Sequence, residues 1–163
     1  MRLAGPCDEL VKPVKQFSRN LGVAFQILND LKDWERDPEK NNAVGNDLLG
    51  GRPTLLWALA LEGLSEPMQK ELVDLVENKS APINPRIQRA RHLYLEAGVF
   101  EKAHRLVDKH QDRAEEIADS MENDELRRLM YYTVDTVLDR TDEVVPTIEF
   151  TDLTFEEIVP IVS

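Results

Sequence analysis

Residues 21–61 decide the fold of this chain and read LGVAFQILNDLKDWERDPEKNNAVGNDLLGGRPTLLWALAL. A helix turns by about 100° per residue, which places apolar side chains of this stretch and of the residues just before it on one stripe, namely Phe17, Leu21, Ala24, Leu28 and Leu31. The nearly opposite side collects polar residues and a glycine, namely Gly22, Gln26, Asn29, Asp30, Asp33 and Asp37. The stretch therefore predicts an amphipathic helix with a row of side-chain oxygens, followed by a polar loop.

The acidic residues of this row are closely spaced. Asn29, Asp33 and Asp37 stand four residues apart, and Asp30 stands three residues before Asp33, so these side chains are neighbours on a helix surface. Carboxylates packed this closely repel one another unless a cation or protons lie among them. Oxygen ligands suit Mg²⁺, which uses one or two protein carboxylates and leaves its other positions to water and substrate phosphate. A solvent-exposed acidic helix face has the same spacing, so that alternative stays open.

A longer pattern runs through the same stretch: Gly22, then Phe25-Gln26, then Asn29-Asp30-x-x-Asp33, then Asp47-x-x-x-Gly51-Arg52-x-Thr54-Leu55. It resembles the second aspartate-rich motif of the trans-isoprenyl diphosphate synthases, the polyprenyl synthetase family. That family's pattern is Gly-x-x-Phe-Gln-x-x-Asp-Asp-x-x-Asp, then a glycine-lysine, then Asp-x-x-x-Gly-Lys-x-Thr-Leu-Pro. The two halves of the motif occur in order and at the right separation.

The resemblance implies an all-α helical bundle, part of an isoprenoid synthase-type fold. Members of the family use Mg²⁺ to ionise an allylic diphosphate and join the cation to isopentenyl diphosphate. By position, the implied metal ligands are Asn29, Asp30, Asp33 and Asp37. Asp30 and Asp33 would also be catalytic, together with Gln26, which would line the cavity and contact substrate. Arg52 would stand in for the lysine that contacts the diphosphate.

The sequence departs from the family pattern at several positions. Asn29 replaces the first aspartate and is a neutral, weaker Mg²⁺ ligand. The glycine-lysine falls at Asn41-Asn42, and the terminal proline is Leu56. Arg52 keeps the lysine charge and adds a planar fork for phosphate. The asparagine-led acidic row also resembles the metal triad of class I terpene cyclases, so a terpene-cyclase-like domain is an alternative.

Composition bounds the class of protein. The 163 residues have room for one domain with a core, expected at 1–140, followed by an acidic, proline-containing tail at 141–163. The net charge of −11, from 20 basic and 31 acidic residues, disfavours nucleic acid and anionic membranes as partners. No apolar run approaches a membrane span, and we expect no signal peptide. Cys7 is the only cysteine, which excludes an internal disulfide and favours the cytoplasm.

The periodicity predicts six helices. We expect the first to begin between Asp8 and Pro13 and to end near Arg36, with a polar loop over residues 39–51. Pro53, Ser65, Asn84 and Asn123 are predicted to mark the starts of later helices, and Gly98 is predicted to stop one. The expected spans are about 54–61, 66–77, 84–97, 100–121 and 124–140. The three histidines are isolated, so none is predicted to bind metal, and the arginines of 86–91 are expected to pair with acids.

No second acidic cluster resembles the family's first aspartate motif. By the resemblance the chain is therefore the C-terminal half of a synthase: a separate subunit, a shortened form or a degenerate relative. We expect a prenyl diphosphate substrate and association with an N-terminal-half subunit or with itself, because the apolar stripe of the first helix would need another surface to cover it. A non-catalytic helical partner of a full synthase is the alternative from another class.

Overall fold

The computed structural model describes residues 8–34, 45–78 and 80–138, and all regular structure within these ranges is helical. The elements are α1 (Asp8–Lys32), α2 (Asn46–Leu49), α3 (Leu55–Gly63), α4 (Glu66–Glu77), α5 (Ile83–Glu96), α6 (Val99–Asp119) and α7 (Asp124–Val137). The predicted all-α class is confirmed. Asp37 and the predicted tail at 141–163 lie outside the described residues.

The core is built on α1 and α6, which pack along each other, with α3 and α7 against them. The predicted apolar stripe of α1 is buried, and Ile27 joins it. α6 meets this stripe with small side chains that are fully buried, namely Ala103, Val107, Ala114 and Ala118. Small residues let two helices approach closely and leave little void between them. The expectation that this stripe needs a second chain to cover it is therefore wrong, because α6 of the same chain covers it.

Other apolar side chains are exposed instead. On α1 these are Leu10, Val14, Val23 and Phe25, and on α7 Leu129 and Tyr132 are 59% and 67% exposed. Tyr131, the neighbour of Tyr132, packs against the core. Of these two adjacent tyrosines, only Tyr131 therefore packs against the core.

α1 ends four residues earlier than the predicted Arg36. The backbone N–H of Trp34 donates to the carbonyl of Leu31 at 2.9 Å, which tightens the last turn and carries the chain out of the helix. Trp34 thereby reaches Tyr94 and Phe100, with ring centroids 4.7 Å and 6.1 Å away. Burial of the large Trp34 side chain decides where this helix ends, and the local sequence pattern does not indicate that end.

Two predicted helix starts are confirmed and two need correction. Asn123 accepts a hydrogen bond from Leu126 N–H at 2.9 Å. Ser65 holds the N-cap position of α4 at the predicted residue, but its side chain makes no capping hydrogen bond. Pro53 does not lie in the first turn of α3, because Thr54 is the N-cap and accepts from Trp57 N–H at 3.3 Å.

The other corrections concern α5 and the polar loop. α5 begins at Ile83, with Pro82 at the N-cap position predicted for Asn84. The short helix α2 lies inside the segment predicted to be a loop, because a single turn is too short to show periodicity. Gly98 follows α5 with φ +64°, as predicted for a stop signal.

Candidate functional site

The polar side of α1 is divided between solvent and the protein interior. Gly22, Gln26 and Asn29 are exposed, whereas Asp33 is half-buried and Asp30 is only 5% exposed. The interpretation that the whole row lies opposite the core is therefore wrong for Asp30. Its position on the helix lies beside Ile27 and next to Leu31 in sequence, so it falls at the edge of the buried stripe, where α3 packs.

Asp30 holds the beginning of α3. Its Oδ2 accepts from Leu55 N–H at 3.4 Å, and its Oδ1 accepts from the Gln26 side-chain amide at 2.9 Å. Leu55 is the first residue of α3, so its N–H has no partner within that helix. A carboxylate at this end also interacts favourably with the helix dipole. Asp30 therefore caps the N-terminus of α3 from a different helix, and the Thr54 side chain accepts the N–H of Trp57 at the same helix end.

Asp33 stabilises the start of the following segment through hydrogen bonds of the same kind. Its Oδ2 accepts from Asp47 N–H at 3.1 Å, and its backbone carbonyl accepts from Gly45 N–H at 2.9 Å. Gly45 has φ +74°, a conformation that favours glycine. The two halves of the sequence motif, 25 to 33 and 47 to 55, are thus joined through these two aspartates.

Arg52 lies at the outer end of this arrangement. The Nη1 of its side chain donates to Asp47 Oδ1 at 2.9 Å, and its backbone N–H donates to the Asp47 carbonyl at 2.9 Å. The Arg52 side chain is 75% exposed. Gly51 precedes it with φ +66°, which turns the chain back towards Asp47. An exposed ion pair of this kind is weak, so the guanidinium can exchange Asp47 for another anion at little cost.

Tyr94 lies behind the two aspartates and was not foreseen from the sequence. It is 1% exposed and packs between Trp34 and Phe100. Burial raises the pKa of the Tyr94 hydroxyl, and the charges of Asp30 and Asp33 raise it further. Trp34 is far from Tyr94 and Phe100 in the sequence, so no local signal could have grouped it with them.

The described residues do not form a self-contained metal centre. No group of three or more aspartate, glutamate, histidine or cysteine side chains suited to a metal lies within the described part of the chain. Both oxygens of Asp30 already accept N–H groups. Asp33 and the exposed Asn29, four residues apart, are the oxygen donors nearer to solvent. This set fits Mg²⁺ only if water and a bound phosphate complete its ligands.

Two arginines of α5 make contacts within the fold. Arg86 is 6% exposed and donates to the carbonyls of Leu75 and Val76, at 2.6 Å and 2.9 Å, which caps the end of α4. Arg89 pairs with both carboxylate oxygens of Glu71, at 2.5 Å and 2.8 Å, and this lowers the pKa of Glu71. The expectation of ion pairing is confirmed for Arg89.

His110 is held in the α1–α6 contact. Its Nδ1 lies 2.9 Å from Asn20 Oδ1, so the ring bridges the two long helices. Burial lowers the pKa of His110, and the nearby charges of Arg113 and Lys109 lower it further. His110 therefore has a packing role between α1 and α6.

Comparison with known proteins gives a consistent set of matches. The polyprenyl synthetase family model matches residues 1–92. A short chain isoprenyl diphosphate synthase of Methanothermobacter thermautotrophicus is 27% identical over 139 residues, which are 85% of this chain and 42% of that protein. A geranylfarnesyl diphosphate synthase of Aeropyrum pernix is 28% identical over 141 residues, 82% of this chain and 43% of that protein. An octaprenyl diphosphate synthase of Escherichia coli is 44% identical over 54 residues, 32% of this chain and 17% of that protein.

The chain spans less than half the length of these relatives. No solved structure matches it. None of the helices in the described ranges has the length and apolar character needed to cross a membrane.

Proposed function

Because its family model matches more than half of the residues, this chain belongs to the polyprenyl synthetase family, and we propose that it acts as the C-terminal half of an isoprenyl diphosphate synthase. In this proposal it binds a prenyl diphosphate with Mg²⁺ and helps to ionise it for condensation with isopentenyl diphosphate. A separate N-terminal-half subunit or a second copy completes the cavity, in the reducing cytoplasm that a single cysteine favours.

The observation that carries the proposal is the hydrogen-bonded link between the two halves of the motif. Asp33 binds Asp47 N–H, and Asp47 in turn binds Arg52. This series leads from the half-buried carboxylate of Asp33 to the exposed cation of Arg52. Such a pair suits a metal-bound diphosphate, in which the carboxylate faces the metal and the arginine faces phosphate oxygens.

The candidate residues take different roles. Asp33 and Asn29 would hold Mg²⁺ together with the diphosphate, and Arg52 would bind the diphosphate directly. When bound, Mg²⁺ supplies positive charge where negative charge develops on the leaving group. Asp30 is a positioning residue, because both of its oxygens are occupied in holding Gln26 and the start of α3. Asp37 stays a candidate ligand that lies outside the described residues.

The test is calorimetric titration of the full chain with geranyl S-thiolodiphosphate, with and without Mg²⁺. We expect binding that requires Mg²⁺ and that is lost in Asp33→Asn. The asparagine oxygen can still accept Asp47 N–H, so this variant removes charge while it keeps the loop acceptor. Asp135→Asn, an exposed site on α7, is the matched control. Binding of equal strength in Asp33→Asn, or heat that does not depend on Mg²⁺, would contradict the metal role.

Arg52→Ala provides an independent measurement. Because the pair with Asp47 is exposed, the variant should change the free energy of unfolding by less than about 1 kcal/mol. We expect its affinity for pyrophosphate with Mg²⁺ to fall about tenfold, since a charge-assisted phosphate contact contributes about 1.5 kcal/mol. Unchanged pyrophosphate affinity would remove Arg52 from the site.

A non-catalytic helical partner of a full synthase is the second candidate. The observation that favours it is that Asp30 and Asp33 both accept backbone N–H groups, and so have a structural role without any metal. Under this alternative Asp33→Asn would behave like the parent chain, and only Asp33→Ala would release the loop. The calorimetric comparison of these two variants separates the candidates.

A further inference from the structure

The outer side of the α3–α6 contact forms an open groove of about 500 Å³. We call it the α3–α6 groove, and it is lined by Leu59, Glu62, Lys102, Arg105, Leu106 and Lys109. Two leucines form an apolar floor, and three cations face a single acid. A local excess of positive charge is unusual in a chain whose net charge is −11.

The cations follow one line along α6. Lys102, Arg105 and Lys109 stand at i, i+3 and i+7, which places them on one face of the helix. Arg113 continues the line one turn further, in a neighbouring cleft that Asp108, Asp112 and Glu116 also line. The charges of Arg113 and Lys109 add to burial in lowering the pKa of His110, as expected beside a positive surface. The groove therefore suits an anionic occupant that also carries apolar side chains.

The chain itself contains a segment of this chemistry. Residues 141–163 read TDEVVPTIEFTDLTFEEIVPIVS, with six acids, no basic residue and β-branched or aromatic side chains between the acids. The pattern offers carboxylates for the three cations and apolar groups for the two leucines.

The connectivity allows this segment to reach the groove. Only residues 120–123 separate α6 from α7, so the two helices form an antiparallel hairpin. α7 has 14 residues and is therefore about 20 Å long. Because α7 runs back along α6, its C-terminal end lies beside the residue of α6 that is the same length away from Asp119. That residue is near Arg105, at the level of the groove. An extended chain advances about 3.3 Å per residue, so a few residues suffice to cross the width of one helix.

We propose that the acidic segment 141–163 docks in the α3–α6 groove of its own chain, with carboxylates on Lys102, Arg105 and Lys109 and apolar side chains on Leu59 and Leu106. Covalent linkage gives the segment an effective concentration in the millimolar range, which favours it over free anions and acidic partners. The proposal does not depend on the proposed enzymatic function, because the groove residues are separate from the aspartates of α1.

The test is zero-length carbodiimide cross-linking of the full chain, which joins carboxylates to lysine amines in direct contact. We expect cross-links from the acids of 141–163 to Lys102 and Lys109, and few to the exposed Lys15 and Lys70. An equal mixture of ¹⁴N- and ¹⁵N-labelled chains distinguishes links within one chain from links between copies. Links between copies, or links spread evenly over all four lysines, would overturn the proposal.

A charge reversal gives the second readout. Arg105→Glu leaves both reporter lysines in place and should lower the cross-link yield about fivefold, because one attractive contact becomes repulsive. Arg128→Glu, exposed on α7, is the matched control and should leave the yield unchanged. Far-ultraviolet circular dichroism verifies that both variants keep their helices. Equal yields in the two variants would show that the groove is not the docking surface.

Discussion

Replacing Asp30 by alanine distinguishes two explanations of the acidic row. If the row exists only to bind a metal, the metal-free protein suffers repulsion between Asp30 and Asp33, and Asp30→Ala should be neutral or stabilising. If Asp30 caps α3, the same change should destabilise the fold. The two explanations predict opposite signs for one measurable quantity, the change in the free energy of unfolding.

The structure sets the expected size. Asp30 is 5% exposed, so the N–H of Leu55 loses its acceptor in a site that water reaches poorly. An unsatisfied buried donor costs about 1–3 kcal/mol, and the 3.4 Å distance places this contact at the lower end. The shorter bond from Gln26 to the charged oxygen adds about 1 kcal/mol, since Gln26 is exposed and regains water. We expect Asp30→Ala to cost about 2–3 kcal/mol.

Asp30→Asn refines the argument. Asp30 accepts two different donors, one on each oxygen. Asparagine offers a single acceptor and would set its NH₂ against the other donor. We therefore expect the isosteric variant to cost about 1–2 kcal/mol, although it hardly changes the shape of the side chain.

The assay is urea unfolding followed by circular dichroism, combined with hydrogen exchange at the amide of Leu55. Both variants should lower the unfolding midpoint and speed exchange at Leu55 without Mg²⁺. An unfolding free energy equal to or above that of the parent chain, with unchanged exchange at Leu55, would refute the capping argument and favour a row made for metal.

Three further predictions rest on other contacts. Arg86→Ala should lower the free energy of unfolding by about 3 kcal/mol in urea, because two carbonyls at the end of α4 lose the buried, charged donor that caps them. The exposed control Arg128→Ala should change it by less than about 0.5 kcal/mol. Gly22→Ala should raise it by up to about 1 kcal/mol, since a Cβ at this helical position meets nothing within 4 Å. If that face lines a prenyl diphosphate site, the same variant should bind geranyl S-thiolodiphosphate less well in calorimetry, and unchanged binding would separate Gly22 from the site. Tyr94→Phe should lessen alkaline unfolding. Burial, and then the charge of Asp30, raise the pKa of the Tyr94 hydroxyl in the folded protein. The stability that the neutral hydroxyl contributes is therefore complete below pH ~10 and falls above that pH by about 1.4 kcal/mol per pH unit. Equal alkaline unfolding profiles for the two proteins would contradict this.

Much of the fold could be predicted from the sequence because helical periodicity is a local property. The apolar stripe of α1, the limits of α4 and the cap at Asn123 depend on residues within a few positions of one another. The family resemblance has the same origin, since the motif is a fixed spacing along one helix and the loop after it.

What the sequence left undecided depends on contacts between distant residues. Trp34 leaves its helix because Tyr94 and Phe100 offer a place to bury it, and the apolar stripe is covered because α6 returns along α1. Asp30 lies in the same spaced row as Asn29, yet only the tertiary structure makes one a buried cap and the other an exposed amide. The spacing of residues fixes which side chains share a helix face, but the packing of other helices on that face decides whether its oxygens meet backbone N–H groups, metal or water.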